Sequence, residues 1–155
     1  MVSPRDEGFT VALGAVAKHP RFSRIVNPHS EQGMASSLGI GVSSVSAQSS
    51  GAMILLGDQP GITAEIINEM LRVFQGDSKS IVRASVNGRQ TTPVIFPADL
   101  FQELTCSTGD VGGRFVVDRN RERVVSIEMG SRYDDSDLDT PEDLEKMALK
   151  LRSRH

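Results

Sequence analysis

Three stretches of the sequence carry side chains that could do chemistry. The first is Leu55-Leu56-Gly57-Asp58-Gln59-Pro60, which runs on from the continuous apolar segment Ala52–Leu56. A carboxylate directly after a buried strand lies at the carboxyl edge of a sheet, where open α/β sheets bind their ligands. Gly57 would let a ligand come close to the backbone. Asp58 suits a hard cation such as Mg²⁺, which takes one or two carboxylates plus phosphate oxygens. The same residues also fit a plainer role, with Asp58 closing a turn before the next helix. The second stretch runs from Asp134 to Asp143 and holds six acids in ten residues, which repel one another unless something neutralises them. Acids ahead of a helix N-terminus are favoured by the macrodipole. That accounts for Glu142 and Asp143, and less well for Asp137 and Asp139, because Thr140 already caps. Only one of Asp137 and Asp139 is expected to face a metal, and the sequence leaves open which. The third stretch is Asn27-Pro28 followed by Gln32-Gly33-Met34-Ala35-Ser36-Ser37-Leu38. Free N–H groups at a helix start, with two serines, can hold an anion; a tight loop with a serine cap is the plainer reading.

Other reactive residue types lack useful spacing. His19, His29 and His155 form no ligand set or triad, and neither G-x-S-x-G nor H-E-x-x-H occurs. Cys106 has no histidine near it in sequence. Arg119, Arg121 and Arg123 are interrupted by Asp118 and Glu122, the pattern of a solvated turn.

These residues must be positioned by a modest chain of 155 residues, 38% hydrophobic and 24% charged. One domain covering 1–155 is expected, large enough to bury roughly 70% of its unfolded surface without disulfides. A single cysteine fits a reducing, cytoplasmic compartment. A net charge of −3 and aromatics at only 5%, with no tryptophan, argue against a nucleic-acid binder. No apolar run in these residues is long enough to span a membrane, and the polar, acid-bearing first residues are not expected to act as a signal peptide.

The element pattern alternates. Helices are expected over Asp6–Lys18, ended by His19-Pro20; over Gly33–Val45, with a close-packed face of small residues; and from a Thr63 cap through Ile66, Ile67, Met70, Leu71 and Phe74. Ser23–Val26 reads as a short strand, and Ala52–Leu56 as one buried on both faces. Ser80–Ala84 and Pro93–Phe96 read as strands flanking the hairpin signal Asn87-Gly88. A short helix over Pro97–Leu104, a glycine-rich loop over Thr108–Gly113, a strand over Val124–Glu128 and a final helix over Pro141–Arg152 complete the chain. Thr140, Pro141 and Asp143 supply that last helix's start signals. The alternation points to an α/β sandwich with a mostly parallel sheet.

Taken in order, these motifs resemble the MobA-like NTP transferase family. They are Asn27-Pro28, Gln32-Gly33-Met34-x-Ser36-Ser37-Leu38, Leu56-Gly57-Asp58-Gln59-Pro60, Pro93-Val94-x-Phe96, Thr108-Gly109-Asp110-x-Gly112-x-Arg114 and Asp137-Leu138-Asp139-Thr140-Pro141-Glu142-Asp143-Leu144. The match runs from about Val2 to Leu149, and the branch it is most similar to is the molybdenum cofactor cytidylyltransferases. The resemblance implies a Rossmann-like three-layer α/β/α sandwich of the nucleotidyltransferase type. It implies a reaction in which the phosphate of a molybdopterin attacks the α-phosphorus of CTP and pyrophosphate leaves. It implies Mg²⁺ at Asp58, with Asp137 or Asp139 as a second metal contact. Asn27, Gly33, Met34, Ser36, Ser37 and Gly57 would be nucleotide- or pterin-side contacts, and a molybdoenzyme or chaperone the protein partner. A phosphate monoester, with its second pKa near 6, needs no general base to act as a nucleophile, so the lack of a triad is expected.

Two departures bear on this. The family opens with a strand and a loop of the type L-A-A-G-x-S-x-R-x-G-x-x-K that cradles the triphosphate, and no such motif occurs in these residues. Judged by the length of a strand–helix–strand unit, about 40 family residues precede this point. The expectation is an N-terminally truncated domain lacking the first strand, that loop, the first helix and most of the second strand, and inactive for that reason. Its alternatives are a non-catalytic remnant that binds metal or a pterin without transfer, and a gene fragment that folds poorly alone. In addition, Thr91-Thr92 stands before Pro93 where the family often has Gly-His or Gly-Asn.

Overall fold

The computed structural model describes residues 14–106 and 112–152. The helix expected over Asp6–Lys18 lies outside them as far as residue 13, and so do residues 108–111 of the glycine-rich loop. Two compact units are formed, one drawn from within Met1–Ser49 and Asp99–Arg121, the other from within Ser50–Ala98 and Glu122–His155. Among the described residues no helix is long and apolar enough to cross a membrane.

Among the described residues the second unit holds a four-stranded sheet. Its strands are β1 (Gly51–Ile54), β2 (Ile81–Val86), β3 (Arg89–Pro97) and β4 (Val124–Glu128), in the order β1-β3-β2-β4. β3 is antiparallel to both β1 and β2, and β4 runs parallel to β2. The mostly parallel sheet expected from strand–helix alternation is thus corrected to a mixed one. The reason lies in Asn87 and Gly88, which take φ of 52° and 74°. Two successive left-handed residues make a tight reversal that forces an antiparallel pair. β1 is also corrected: it is half-buried along its length and lies at the end of the strand order. A continuous apolar run reports a demand for burial, not how many neighbours the strand will have. Gly51 begins it because a Cβ there would lie 2.5 Å from the Phe74 ring and 2.8 Å from the Phe96 carbonyl. Ser23–Val26 shows only an isolated bridge at Val26.

The described residues also form helices. We number them α1 (Met34–Ser43), α2 (Ala64–Gly76), α3 (Phe101–Thr105), α4 (Arg114–Arg119) and α5 (Pro141–Arg152). Of these, α2 and α5 belong to the second unit and the others to the first. α2 starts where the sequence signals it: the Thr63 hydroxyl accepts from the Ile66 N–H at 3.4 Å. It buries Ile66, Met70 and Phe74, spaced at four residues along one face. They meet Val82, Ala84, Ile95, Met129 and Tyr133 in one apolar core. α5 carries a reciprocal cap, with Thr140 Oγ1 accepting from the Asp143 N–H at 3.2 Å and Asp143 Oδ2 accepting from the Thr140 N–H at 3.1 Å. In the first unit α1 packs on α3. Gly39 faces Thr105, where an added Cβ would sit 3.5 Å from the backbone, an ordinary van der Waals contact.

A carboxylate locks the hairpin to β4. Glu128 accepts from the backbone N–H groups of Asn87 (2.9 Å), Gly88 (3.0 Å) and Gly130 (3.0 Å) and from the Ser85 hydroxyl (3.0 Å). These donors, the Gly88 N–H foremost, hold its carboxyl below the ordinary value.

Two outcomes are expected. Met70→Ala removes a fully buried side chain from the centre of the core and should cost about 2–5 kcal/mol in urea denaturation, the range for such truncations. Glu128→Gln should lower Tm most at neutral pH. A depressed folded-state pKa stabilises above the unfolded carboxyl range, and that stabilisation is lost as pH falls through the folded value. The Tm gap between wild type and variant should therefore close as pH is taken below about 4.

Candidate functional site

Beyond β1 the chain turns through Gly57-Asp58-Gln59-Pro60-Gly61, and alternate residues face opposite ways. Asp58 is exposed, whereas the Gln59 side chain is only 7% exposed. The Gln59 carboxamide oxygen accepts from the Tyr133 hydroxyl at 3.0 Å and from the Thr92 hydroxyl, and its Nε2 donates to Asp137 Oδ1 at 2.8 Å. The Asp58 carbonyl accepts from the Leu138 N–H at 2.9 Å. The two sequence-flagged stretches, 57–60 and 137–139, are therefore joined by two hydrogen bonds. Gly61 completes the joint. A Cβ there would fall 2.0 Å from the Asp134 carbonyl oxygen, so the backbones meet only because residue 61 has no side chain.

The acidic stretch is sorted by partner. Asp134 accepts from Ser136, and Asp135 pairs with Arg89 at 2.7 Å. Asp137 is engaged by Gln59, and Asp143 serves the α5 cap, its carboxyl lowered chiefly by the Thr140 hydroxyl. The carboxylates of Asp58 and Asp139 are exposed and have no partner among the described residues. Residues two apart in an extended chain share a face, so spacing alone does not separate Asp137 from Asp139; the Gln59 bond does. Among the described residues no cluster of three or more His, Cys, Asp or Glu side chains stands ready to enclose a metal. That donor set still fits a Mg²⁺-like ion, which keeps several waters and relies on one or two carboxylates with substrate phosphates.

Nearby, Tyr133 is buried and its hydroxyl is pushed up to about 12, by burial first and by the Asp135 charge second. Tyr133 and the inward role of Gln59 were not legible as site features in sequence. The signal available was the chain's one tyrosine heading the acidic stretch. Gly57 is exposed with no atom within 4 Å of where a Cβ would be, leaving open space for a ligand beside the backbone.

The remaining candidates lie in the first unit. Asn27 is 1% exposed. Its Nδ2 donates to Ser36 Oγ (2.8 Å) and Ser37 Oγ (2.9 Å), and its Oδ1 accepts from the His29 N–H (2.8 Å). Ser36 in turn donates to the His29 carbonyl (2.9 Å). Asn27, Ser36 and Ser37 thus bond to one another and pin the Asn27-Pro28-His29 turn to the start of α1. Gly33, at φ 93°, makes the entry into that helix, a conformation that favours glycine. Met34 follows it and is 55% exposed.

The family model described as the MobA-like NTP transferase domain matches residues 2–124. The chain belongs to this family. No curated protein matches it. Among solved structures, a homologue of Mycobacterium tuberculosis Rv0371c from Mycobacterium sp. strain JC1 is similar with a TM-score of 0.64 and 24% identity, covering 77% of this chain and 59% of that one. Rv0371c from M. tuberculosis H37Rv matches with a TM-score of 0.67 and 20% identity, covering 89% of this chain and 70% of that one. The same protein's complex with manganese gives a TM-score of 0.66 at 20% identity, covering 89% and 73%. This MobA-like chain therefore spans about three-fifths of the first of these structures, and the likenesses establish its α/β nucleotidyltransferase-type fold.

Substituting Gly61 by alanine tests the joint directly. Overfilling a tight contact costs roughly 1–3 kcal/mol. Gly61→Ala should lower stability by that much and increase amide exchange at Leu138, whose N–H bonds across the joint. Unchanged exchange at Leu138 would show the two stretches held by other means.

Proposed function

We propose that this domain serves nucleotidyl transfer from a nucleoside triphosphate to a phosphate acceptor, with a divalent cation held by the Asp58 and Asp139 carboxylates. The observation that carries the reading is the joint between residues 58–59 and 137–138, which leaves these two carboxylates without other partners. Family membership supplies the reaction class, and the manganese complex of Rv0371c supports a divalent ion. For the substrates we propose CTP and a molybdopterin, on the motif resemblance, with Mg²⁺ as the physiological ion. Asn27, Gly33, Met34, Ser36, Ser37 and Gly57 are proposed to shape the nucleotide and pterin side, the buried Asn27 acting through the helix start it holds.

In this chemistry an oxygen of the acceptor phosphate bonds to the α-phosphorus, while the bond from that phosphorus to the pyrophosphate oxygen breaks. The nucleophile is already largely ionised at neutral pH, so no side chain has to remove a proton. The cation, when bound, neutralises phosphate charge. What the protein's own residues do is present two carboxylates from stretches joined by hydrogen bonds and orient the reactants, which is most of what phosphoryl chemistry asks of a protein.

Mn²⁺ binding followed by electron paramagnetic resonance tests the metal half on the full chain. Asp58→Ala should weaken it by more than the roughly 10–100-fold that loss of an outer-shell partner costs; unchanged affinity would remove Asp58 from the site. Pyrophosphate release from CTP that requires both molybdopterin and the cation assigns the transfer, whereas binding without release assigns a binding role alone.

A further inference from the structure

We infer that Gln59 is a positioning residue for this cation site: its buried carboxamide holds Asp137, and through Asp137 the 137–139 stretch, in place beside Asp58. The inference rests on the metal reading above and adds a residue to it.

The argument starts from the direction of the amide. A carboxamide has an accepting end and a donating end. Two hydroxyl donors, Thr92 and Tyr133, meet the oxygen of Gln59, and a carboxylate meets its nitrogen. Reversing the amide would set its oxygen against the Asp137 oxygen, two acceptors with no proton between them, and would leave the Thr92 and Tyr133 hydroxyls to accept rather than donate. The orientation is therefore fixed by three partners, and Nε2 must face Asp137. Tyr133 keeps its proton throughout the neutral range, since burial raises its ionisation far above it. The donor that orients Gln59 is thus always present.

The location of this unit gives it consequence beyond stability. Thr92 belongs to β3 and Tyr133 to the apolar core, so the accepting end of Gln59 is anchored on the rigid part of the second unit. Its donating end reaches the exposed acidic stretch. Asp137 precedes Leu138, whose N–H bonds the Asp58 carbonyl, and Asp139 follows directly. Gln59 and Asp58 are neighbours in the chain, so a single turn presents one carboxylate outward and anchors the other acidic stretch from within. Partners of this kind, one bond removed from the ion, typically change metal affinity by about 10–100-fold when removed.

A double-mutant cycle on the full chain tests this, with Mn²⁺ affinity as the readout. Gln59→Leu should weaken Mn²⁺ binding about 10-fold, the lower end of that outer-shell range. In an Asp137→Ala background the same change should have no further effect, because Gln59 acts only through Asp137. Losses that add would overturn the inference. Bound Mn²⁺ should also broaden the Gln59 side-chain amide signals in ¹H–¹⁵N spectra, and sharp signals at saturation would overturn it as well. If Gln59→Leu fails to fold, Tyr133→Phe keeps the ring and removes one orienting donor; it should weaken Mn²⁺ in the same direction by less, and unchanged affinity there would count against the role. A wild-type chain that does not bind Mn²⁺ overturns the metal reading and this inference together. Wild-type binding that Gln59→Leu leaves intact overturns this inference alone.

Discussion

Everything at the candidate site depends on a polar group being satisfied away from water. Burying an amide without partners costs free energy comparable to a lost hydrogen bond or more, so the Gln59 carboxamide can be inside only if donors and an acceptor converge on it. They come from three places in the chain, 33, 74 and 78 residues away. Meeting that requirement draws the β1 exit, the start of β3 and the acidic stretch together at one point. The Gly61 backbone meets that of Asp134 at the same joint.

The stretch from Glu128 to Leu138 shows the same logic along its length. It is tied down at nearly every second or third residue: Glu128 to the hairpin amides, Met129 to the Ser85 carbonyl, Arg132 to Glu69, Tyr133 to Gln59, Asp135 to Arg89 and Asp137 to Gln59. The surface pairs among these each contribute little, since exposed ion pairs are worth at most about 1 kcal/mol. Their effect is cumulative restraint on a segment with little regular structure, and such restraint is what a metal or phosphate site requires of its supporting shell.

What could be read from the sequence was whatever is encoded within a few residues. The Thr63 cap, the Thr140–Asp143 box and the Asn87-Gly88 reversal each depend on groups no more than three positions apart, and all three stand in the structure. The family was legible in the sequence, and its model matches residues 2–124, which end before the acidic stretch. Sheet direction is decided by the Asn87-Gly88 reversal, which makes β2 and β3 antiparallel, and not by strand–helix alternation. The partners of Gln59 were not legible, since nothing local marks a glutamine in a turn as buried. Asn27, Ser36 and Ser37 were flagged as groups that could face a ligand, and the structure shows them bonded to one another. Polar residues that gather in space satisfy each other first.

The interleaving of the two units carries a practical implication. Each is assembled from two stretches of chain separated by the other's residues. No contiguous half, expressed alone, contains a whole unit: a piece ending near residue 98 has β1 to β3 without β4, and one starting near residue 99 has α3 and α4 without α1. Dividing the chain at the midpoint would therefore separate β4 from the β2 strand it pairs with and α1 from the α3 helix it packs on.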